Sequence, residues 1–252
     1  MNAFTLKMIA LLAMFVDHVF DAFPQSTPLW FKVIGRLTFP IFVFLLAEGF
    51  RHTRSPQKFL LRLFAFAIIT EPIYDWAFNR SRNVAMGYGL WRVDFLNNTN
   101  IFYTLFLGGM AIFAYQLLIH YIKPLCKYRI VPILAALPFA ALFMWVAEYL
   151  GAPYGWHGVL FIFVMYVVSS PKWLQLAVLA VMSVLQFHVF WPFIRDGIRI
   201  DTWFYVMIPA VLVTVPLIAI YNKKRGPSLK WMFYIAYPAH IAVLAAVAYF
   251  IM

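Results

Sequence analysis

The sequence predicts an all-α protein, a polytopic transmembrane helix bundle of about nine spans with its N-terminus in the cytoplasm. Three observations lead there. The 252 residues are 65% hydrophobic and only 12% charged, with a mean hydropathy of +0.83, which is outside the range of soluble globular domains. Apolar stretches of about 20 residues, the length that crosses a bilayer, recur along the chain and leave no room for a sizeable soluble unit, so residues 1–252 read as a single integral membrane domain. The 20 Lys and Arg gather in short segments between those stretches, as topology determinants do.

The first span runs from Thr5 to Phe23 and stops at Pro24 and Pro28, residues that suit a short interfacial turn. Asp17 and His18 interrupt its apolar run, and no small-x-small cleavage site follows, so it reads as a retained helix and not as a signal peptide. The second span covers Leu29 to Phe50 and carries Gly35-Arg36 and Glu48. After it comes Arg51 to Arg62, RHTRSPQKFLLR, the densest basic stretch of the first half, which by the positive-inside rule faces the cytoplasm and places the N-terminus there. The third span, Phe59 to Phe78, contains Glu71, Pro72 and Asp75, and its proline predicts a kink. From Asn79 to Asn98 the chain turns polar, with Arg80, Arg82, Arg92 and Asp94, and forms the longest loop, read as a connector on the external side.

Six more spans follow, at Ile101 to Ile122, Ile130 to Leu150, Tyr154 to Ser170, Trp173 to Phe193, Thr202 to Tyr221 and Trp231 to Ile251. Lys123, Lys127, Arg129, Lys172, Lys223, Lys224, Arg225 and Lys230 then all fall on the side of Arg51 to Arg62. Arg195, Asp196, Arg199 and Asp201 fall on the other side, where opposite charges alternate. Trp30, Trp91, Trp191 and Trp203 sit near span ends, where aromatic belts belong.

Several function classes drop out. The net charge of +11 is accounted for by loop topology, and no soluble module exists to hold nucleic acid. One cysteine, Cys126, excludes an internal disulfide and Cys-rich metal clusters. No H-E-x-x-H spacing, P-loop, G-x-G-x-x-G or G-x-S-x-G is present, and no metal site is expected.

What remains is charge inside apolar spans, where it is expensive and is kept for pairing, cavities or chemistry. Lys7 and His18 are eleven residues apart, about three helical turns, so they share one face of the first span about 16 Å apart along its axis. Asp17 lies about 100° round the helix from His18 and cannot easily orient that ring. Arg36, entering from the opposite side, reaches a similar depth, and an Asp17–Arg36 pair would neutralise both charges and tie the first two spans together. Asp21 is read as a solvated residue at the span end. Of the six histidines, His52, His120 and His188 lie near span ends and His157 is ambiguous; only His18 and His240 are both deep and close to other polar side chains. Histidine suits general-base chemistry on an amine or hydroxyl because its ordinary pKa is near neutral. Glu71 and Asp75, spaced i, i+4, read as a cap plus an interhelical hydrogen bond, and Glu148 as interfacial.

The segments LKMIALLAMFVDH, IGRLTFPIFVFLLAEGFRHTRS, ITEPIYDWAF, NIFYTLFLGG, YGWHGVL, YNKKRG and FYIAYPAH together resemble the TraX family of membrane proteins, whose named member acetylates the N-terminus of conjugative pilin. That family looks distantly like the transmembrane acyltransferases, including acyltransferase-3 proteins and heparan-alpha-glucosaminide N-acetyltransferase. In the former, Arg and His are separated by ten residues in the first helix, a spacing kept here by Lys7 and His18. Lysine keeps the charge but not bidentate phosphate recognition.

The resemblance implies a membrane acyltransferase in the bacterial cytoplasmic membrane that uses acetyl-CoA as acyl donor. His18 would be the base, with Asp17, Arg36 and His240 in the catalytic group. The CoA phosphates would lie against Arg51, Arg54, Lys58 and Arg62 or against Lys223, Lys224 and Arg225, with the pantetheine arm along the Lys7 face. Arg36, Tyr234 or His240 would stabilise the oxyanion. The acceptor, a peptide N-terminus, a sugar or a small molecule, is not legible. Two rival readings use the same buried charge: a small-molecule transporter with a polar relay, and a non-catalytic scaffold for pilus or surface-polymer assembly.

Overall fold

The computed structural model describes residues 1–23, 25–79, 92–126, 128, 130–186 and 202–251. Every regular element among them is helical: α1 Ala3–Ala22, α2 Trp30–Gly35, α3 Thr38–His52, α4 Pro56–Tyr74, a π-helical turn Asp75–Asn79, α5 Ile101–Ile122, α6 Ile130–Tyr149, α7 Gly155–Val167, α8 Lys172–Val184, α9 Thr202–Leu212, α10 Thr214–Ala219 and α11 Lys230–Ile251. Counting α2 with α3, the π turn with α4, and α9 with α10 gives nine helical segments among the described residues. Five of them are long and apolar enough to cross a membrane: Ala3–Ala22, Trp30–His52, Ile101–Ile122, Ile130–Tyr149 and Trp231–Phe250.

Local chemistry sets the ends. Asn2 caps α1 by accepting the Thr5 N–H at 2.9 Å, and Asn100 caps α5 by accepting the Phe102 N–H at 3.0 Å. Ser55 caps α4 ahead of Pro56, the position where a missing N–H costs nothing. The expected kink at Pro72 coincides with a change of helix type: the α-helix gives way to the π turn three residues later. One of the expected spans is shorter as a helix. α7 ends at Val167, so its 13 residues rise about 20 Å against a hydrocarbon core of about 30 Å. α8 is α-helical from Lys172 to Val184, and residues 187–193 of that expected span lie outside the described residues.

Some of the expected polar positions, Arg80, Arg82, Trp91, Lys127, Arg129, His188, Trp191, Arg195, Asp196, Arg199 and Asp201, lie outside the described residues, as do the side chains of Trp203 and Lys230.

The bundle is built around α3, α5 and α7, whose side chains supply much of the buried core, including Phe39, Ile41, Phe50, Ile112, Phe161 and Ile162. α5 packs on α3, α4, α6 and α7, while α8 packs on α7, α9 and α10. α1 leans on α2, α3 and α11, and α11 in turn on α4 and the π turn. Outward faces stay apolar, as at Leu12, Leu134, Trp145 and Val243, all more than half exposed. That pattern is the one lipid contact selects. The consequence for the site is that α1 lies between α2 and α11, with α4 and its π turn against α11.

Candidate active site

The rings of His18 on α1 and His240 on α11 meet edge to edge, with centroids 4.9 Å apart and planes 14° from parallel. His18 Nδ1 lies 2.7 Å from His240 Nε2, and His240 Nδ1 lies 2.7 Å from the Ala236 carbonyl one turn back on its own helix. A carbonyl can only accept, so His240 Nδ1 carries the proton and its Nε2 is an acceptor. His18 must then donate from Nδ1. Hydrogen-bond accounting thus leaves His18 Nε2 with a lone pair, the form a general base needs. Phe78 and Tyr237 flank the His18 ring at 5.4 and 6.0 Å, and Phe15 meets the edge of His240.

Beside this pair sits a neutral quartet of charges. Arg36 donates to Asp17 Oδ1 at 3.3 Å, so the expected pair is present, and Arg36 Nε donates to the Lys32 carbonyl at 3.2 Å. Lys32 was not anticipated: its Nζ reaches Asp17 at 3.2 Å and Asp21 at 2.7 Å. Asp21 is therefore ion-paired and not simply solvated. The signal was present in the spacing, since Asp17 and Asp21 are four apart, as are Lys32 and Arg36, which places two matched ladders on facing helices. Gly35 explains why Gly precedes Arg36. A Cβ there would stand 2.2 Å from Asp17 Oδ1 and 2.5 Å from Asp17 Cβ, so only glycine lets α2 come this close to α1.

A third contribution comes from YGWHG at the start of α7. Tyr154 has φ +67° and Gly155 φ +49°, two successive left-handed residues, the first of which costs about 1–3 kcal/mol for a non-glycine. The Tyr154 ring stacks on Phe39 with centroids 3.8 Å apart. Its phenol is within electrostatic reach of Arg36, Asp17 and Asp21, and of Tyr74 and Tyr237. Behind these tyrosines, Glu71 is fully buried and accepts from the Asn100 backbone N–H at 3.0 Å and its side-chain amide at 2.6 Å. Asp75 accepts from the Asn79 amide at 2.5 Å and the Asp94 N–H at 2.6 Å. The two carboxylates thus join α4 and the π turn to the segment preceding α5, as the cap-and-hydrogen-bond reading expects.

The other end of the α1 face holds the basic residues. Lys7 lies over the Phe233 ring at 5.2 Å and beside Arg225. The YNKKRG segment wraps the start of α1: Ala3 N–H donates to the Lys224 carbonyl at 2.9 Å, Phe4 N–H to that of Arg225 at 3.2 Å, and Asn222 N–H to that of Met1 at 2.8 Å. First-turn N–H groups that a helix leaves orphaned are thereby satisfied. Gly226, at φ +72°, passes so close to Asn2 that a Cβ would meet its Cγ at 2.8 Å. Lys223, Lys224 and Arg225 are held exposed around this collar.

The Arg51 to Arg62 stretch is distributed differently. Arg51 pairs with Glu48 and donates to the carbonyls of Met165 and Tyr166 at 2.6 and 2.8 Å, closing the C-terminal end of α7. Arg54 and Lys58 are exposed. Arg62 lies over Phe59 and beside Tyr234, whose ring stacks on Phe66 at 5.0 Å. Tyr234 is six residues before His240 on α11, about 9 Å along the axis. Among the described residues no group of His, Cys, Asp and Glu is arranged to hold a metal.

A family model described as "TraX protein" matches residues 3–248. The "Probable fimbrial assembly protein FimC, serogroup H1" of Dichelobacter nodosus is 30% identical, over 99% of this chain and 97% of that protein. No solved structure matches the chain.

Proposed function

This chain belongs to the TraX family, and from that premise we propose that it is a membrane-embedded acyltransferase, with His18 as general base, that moves an acetyl group from cytoplasmic acetyl-CoA to an amine or hydroxyl acceptor. The observation that carries the reading is the His18–His240–Ala236 chain. A histidine whose Nδ1 is committed to a partner has one tautomer and one basic nitrogen, the arrangement that general-base catalysis requires.

The collar around Lys7, with Lys224 and Arg225, is the cytoplasmic rim in this reading, as its charge favours. Acetyl-CoA arrives there, and its pantetheine arm follows the α1 face toward His18, about 16 Å away. His18 Nε2 takes the proton from the acceptor as its nitrogen or oxygen bonds to the thioester carbon. The tetrahedral adduct collapses with cleavage of the C–S bond, and the CoA thiolate recovers that proton from His18. Since a relative bears the name of a fimbrial assembly protein, the acceptor we favour is the N-terminal amine of a fimbrial or pilin-type subunit. The bacterial cytoplasmic membrane, with the N-terminus inside, is the setting that gives both substrates access.

Titration of the purified full chain with acetyl-CoA, followed by thermal unfolding, tests this directly. Binding to the native state raises the melting temperature in proportion to ligand excess. Absence of stabilisation by acetyl-CoA at millimolar concentration overturns the reading.

A further inference from the structure

We propose that Tyr154 is a catalytic residue of this site: its hydroxyl donates a hydrogen bond to the carbonyl oxygen of the bound acetyl thioester and to the oxyanion that oxygen becomes. The proposal rests on the acyltransferase reading and assigns it a donor that the sequence does not announce.

Three observations converge on Tyr154. Its backbone is left-handed, at φ +67°, a conformation a bulky residue adopts only where its surroundings impose it. Gly158, one turn on, makes room for it: a Cβ at Gly158 would lie 2.8 Å from Tyr154 Cβ and 3.4 Å from the Phe39 ring. Phe39 then fixes the ring by stacking. The YGWHG segment therefore spends two left-handed residues and a helix glycine on the direction of one phenol. That phenol is within electrostatic reach of Asp17 and Arg36 and of Tyr74 and Tyr237, and Tyr237 flanks the His18 ring.

The alternative donors are already engaged or placed elsewhere. His240 uses Nδ1 on Ala236 and accepts from His18 at Nε2, so it has no N–H to offer. Arg36 is held by Asp17 and by the Lys32 carbonyl. Tyr234 is displaced toward the basic rim, beside Arg62. A phenol keeps its proton throughout the reaction, so the proton balance between His18, acceptor and thiolate is unchanged; Tyr154 supplies only charge stabilisation.

The test uses acetyl-CoA labelled with carbon-13 at the thioester carbonyl, bound to the full chain in lipid nanodiscs, and reads the carbonyl stretch by isotope-edited infrared difference. The expected result is a downshifted stretch in the native protein that moves back toward the free value in Tyr154→Phe and in Gly158→Ala, with acetyl-CoA still bound. With a peptide bearing a free α-amine as acceptor, Tyr154→Phe should lower kcat by about 10²–10³-fold at unchanged KM for acetyl-CoA. An identical stretch in native protein and Tyr154→Phe overturns the assignment of Tyr154 alone. Failure of the native chain to bind acetyl-CoA overturns it together with the reading it rests on.

Discussion

His18 and His240, 222 residues apart in the chain, lie 2.7 Å from each other between Nδ1 and Nε2, and the second ring is fixed in turn by the backbone of its own helix. On the proposed mechanism, His240 acts on the chemistry through His18 and is a positioning residue.

His240→Ala should lower acetyl transfer about 10–100-fold, the usual cost of losing a partner that orients a functional imidazole. Glutamine offers an amide oxygen that can accept from His18 Nδ1, so His240→Gln should recover part of that loss. Rates of CoA release, compared at equal melting temperature, check this. Equal rates in the alanine and glutamine variants would show that the hydrogen bond is not what matters.

Gly35→Ala should destabilise by about 1–3 kcal/mol, as overpacking does, because the new Cβ displaces Asp17 from Lys32 and Arg36. Asp17→Asn should cost a similar amount by leaving two cations with one carboxylate, Asp21, to share. As both changes break the same contact, the double variant should be markedly less than additive. Chemical unfolding of the four proteins gives the coupling, and full additivity counts against a shared cause.

The basic residues should separate into two kinds. Arg51→Ala removes two carbonyl contacts and strands Glu48, so it should lower stability by about 2–3 kcal/mol. Arg225→Ala, at the exposed collar, should leave the melting temperature nearly unchanged yet weaken acetyl-CoA binding about 10-fold, and native binding should itself weaken with salt. Calorimetry at two ionic strengths distinguishes the outcomes. Undiminished affinity in Arg225→Ala would remove the collar from the phosphate site.

Much of the architecture was legible because bilayer thickness constrains length: among the described residues nine apolar runs correspond to nine helical segments, most with ends within a few residues of expectation. The Asp17–Arg36 pair was legible too, since rise per residue gives depth, and two opposite charges at one depth on adjacent helices have few other partners. Lys32 escaped because it falls at the margin of a span, where a solvated lysine needs no explanation, although its spacing from Arg36 matched that of the two aspartates. The His18–His240 contact depends on how the first and last helices are rotated toward each other, and hydropathy carries no signal for that. Tyr154 escaped for a different reason: left-handed backbone at a non-glycine leaves no mark in composition, and only the two glycines around it hint at crowding. Arg51 illustrates the reverse case, where a run of like charges invited a collective reading and the i, i+3 neighbour Glu48 carried the local one.

The collar makes α1 and α11 behave like the two scales of a vernier. α1 starts against the hydrogen-bonded segment that leads into α11, and the two helices lie against each other, so the meeting of His18 with His240 depends on the residue count within each helix. One residue inserted or deleted between the collar and either histidine would turn that ring through about 100° and move it about 1.5 Å. Changes of length in these two helices should therefore disturb the histidine contact more than substitutions at outward-facing positions such as Leu12 and Val243.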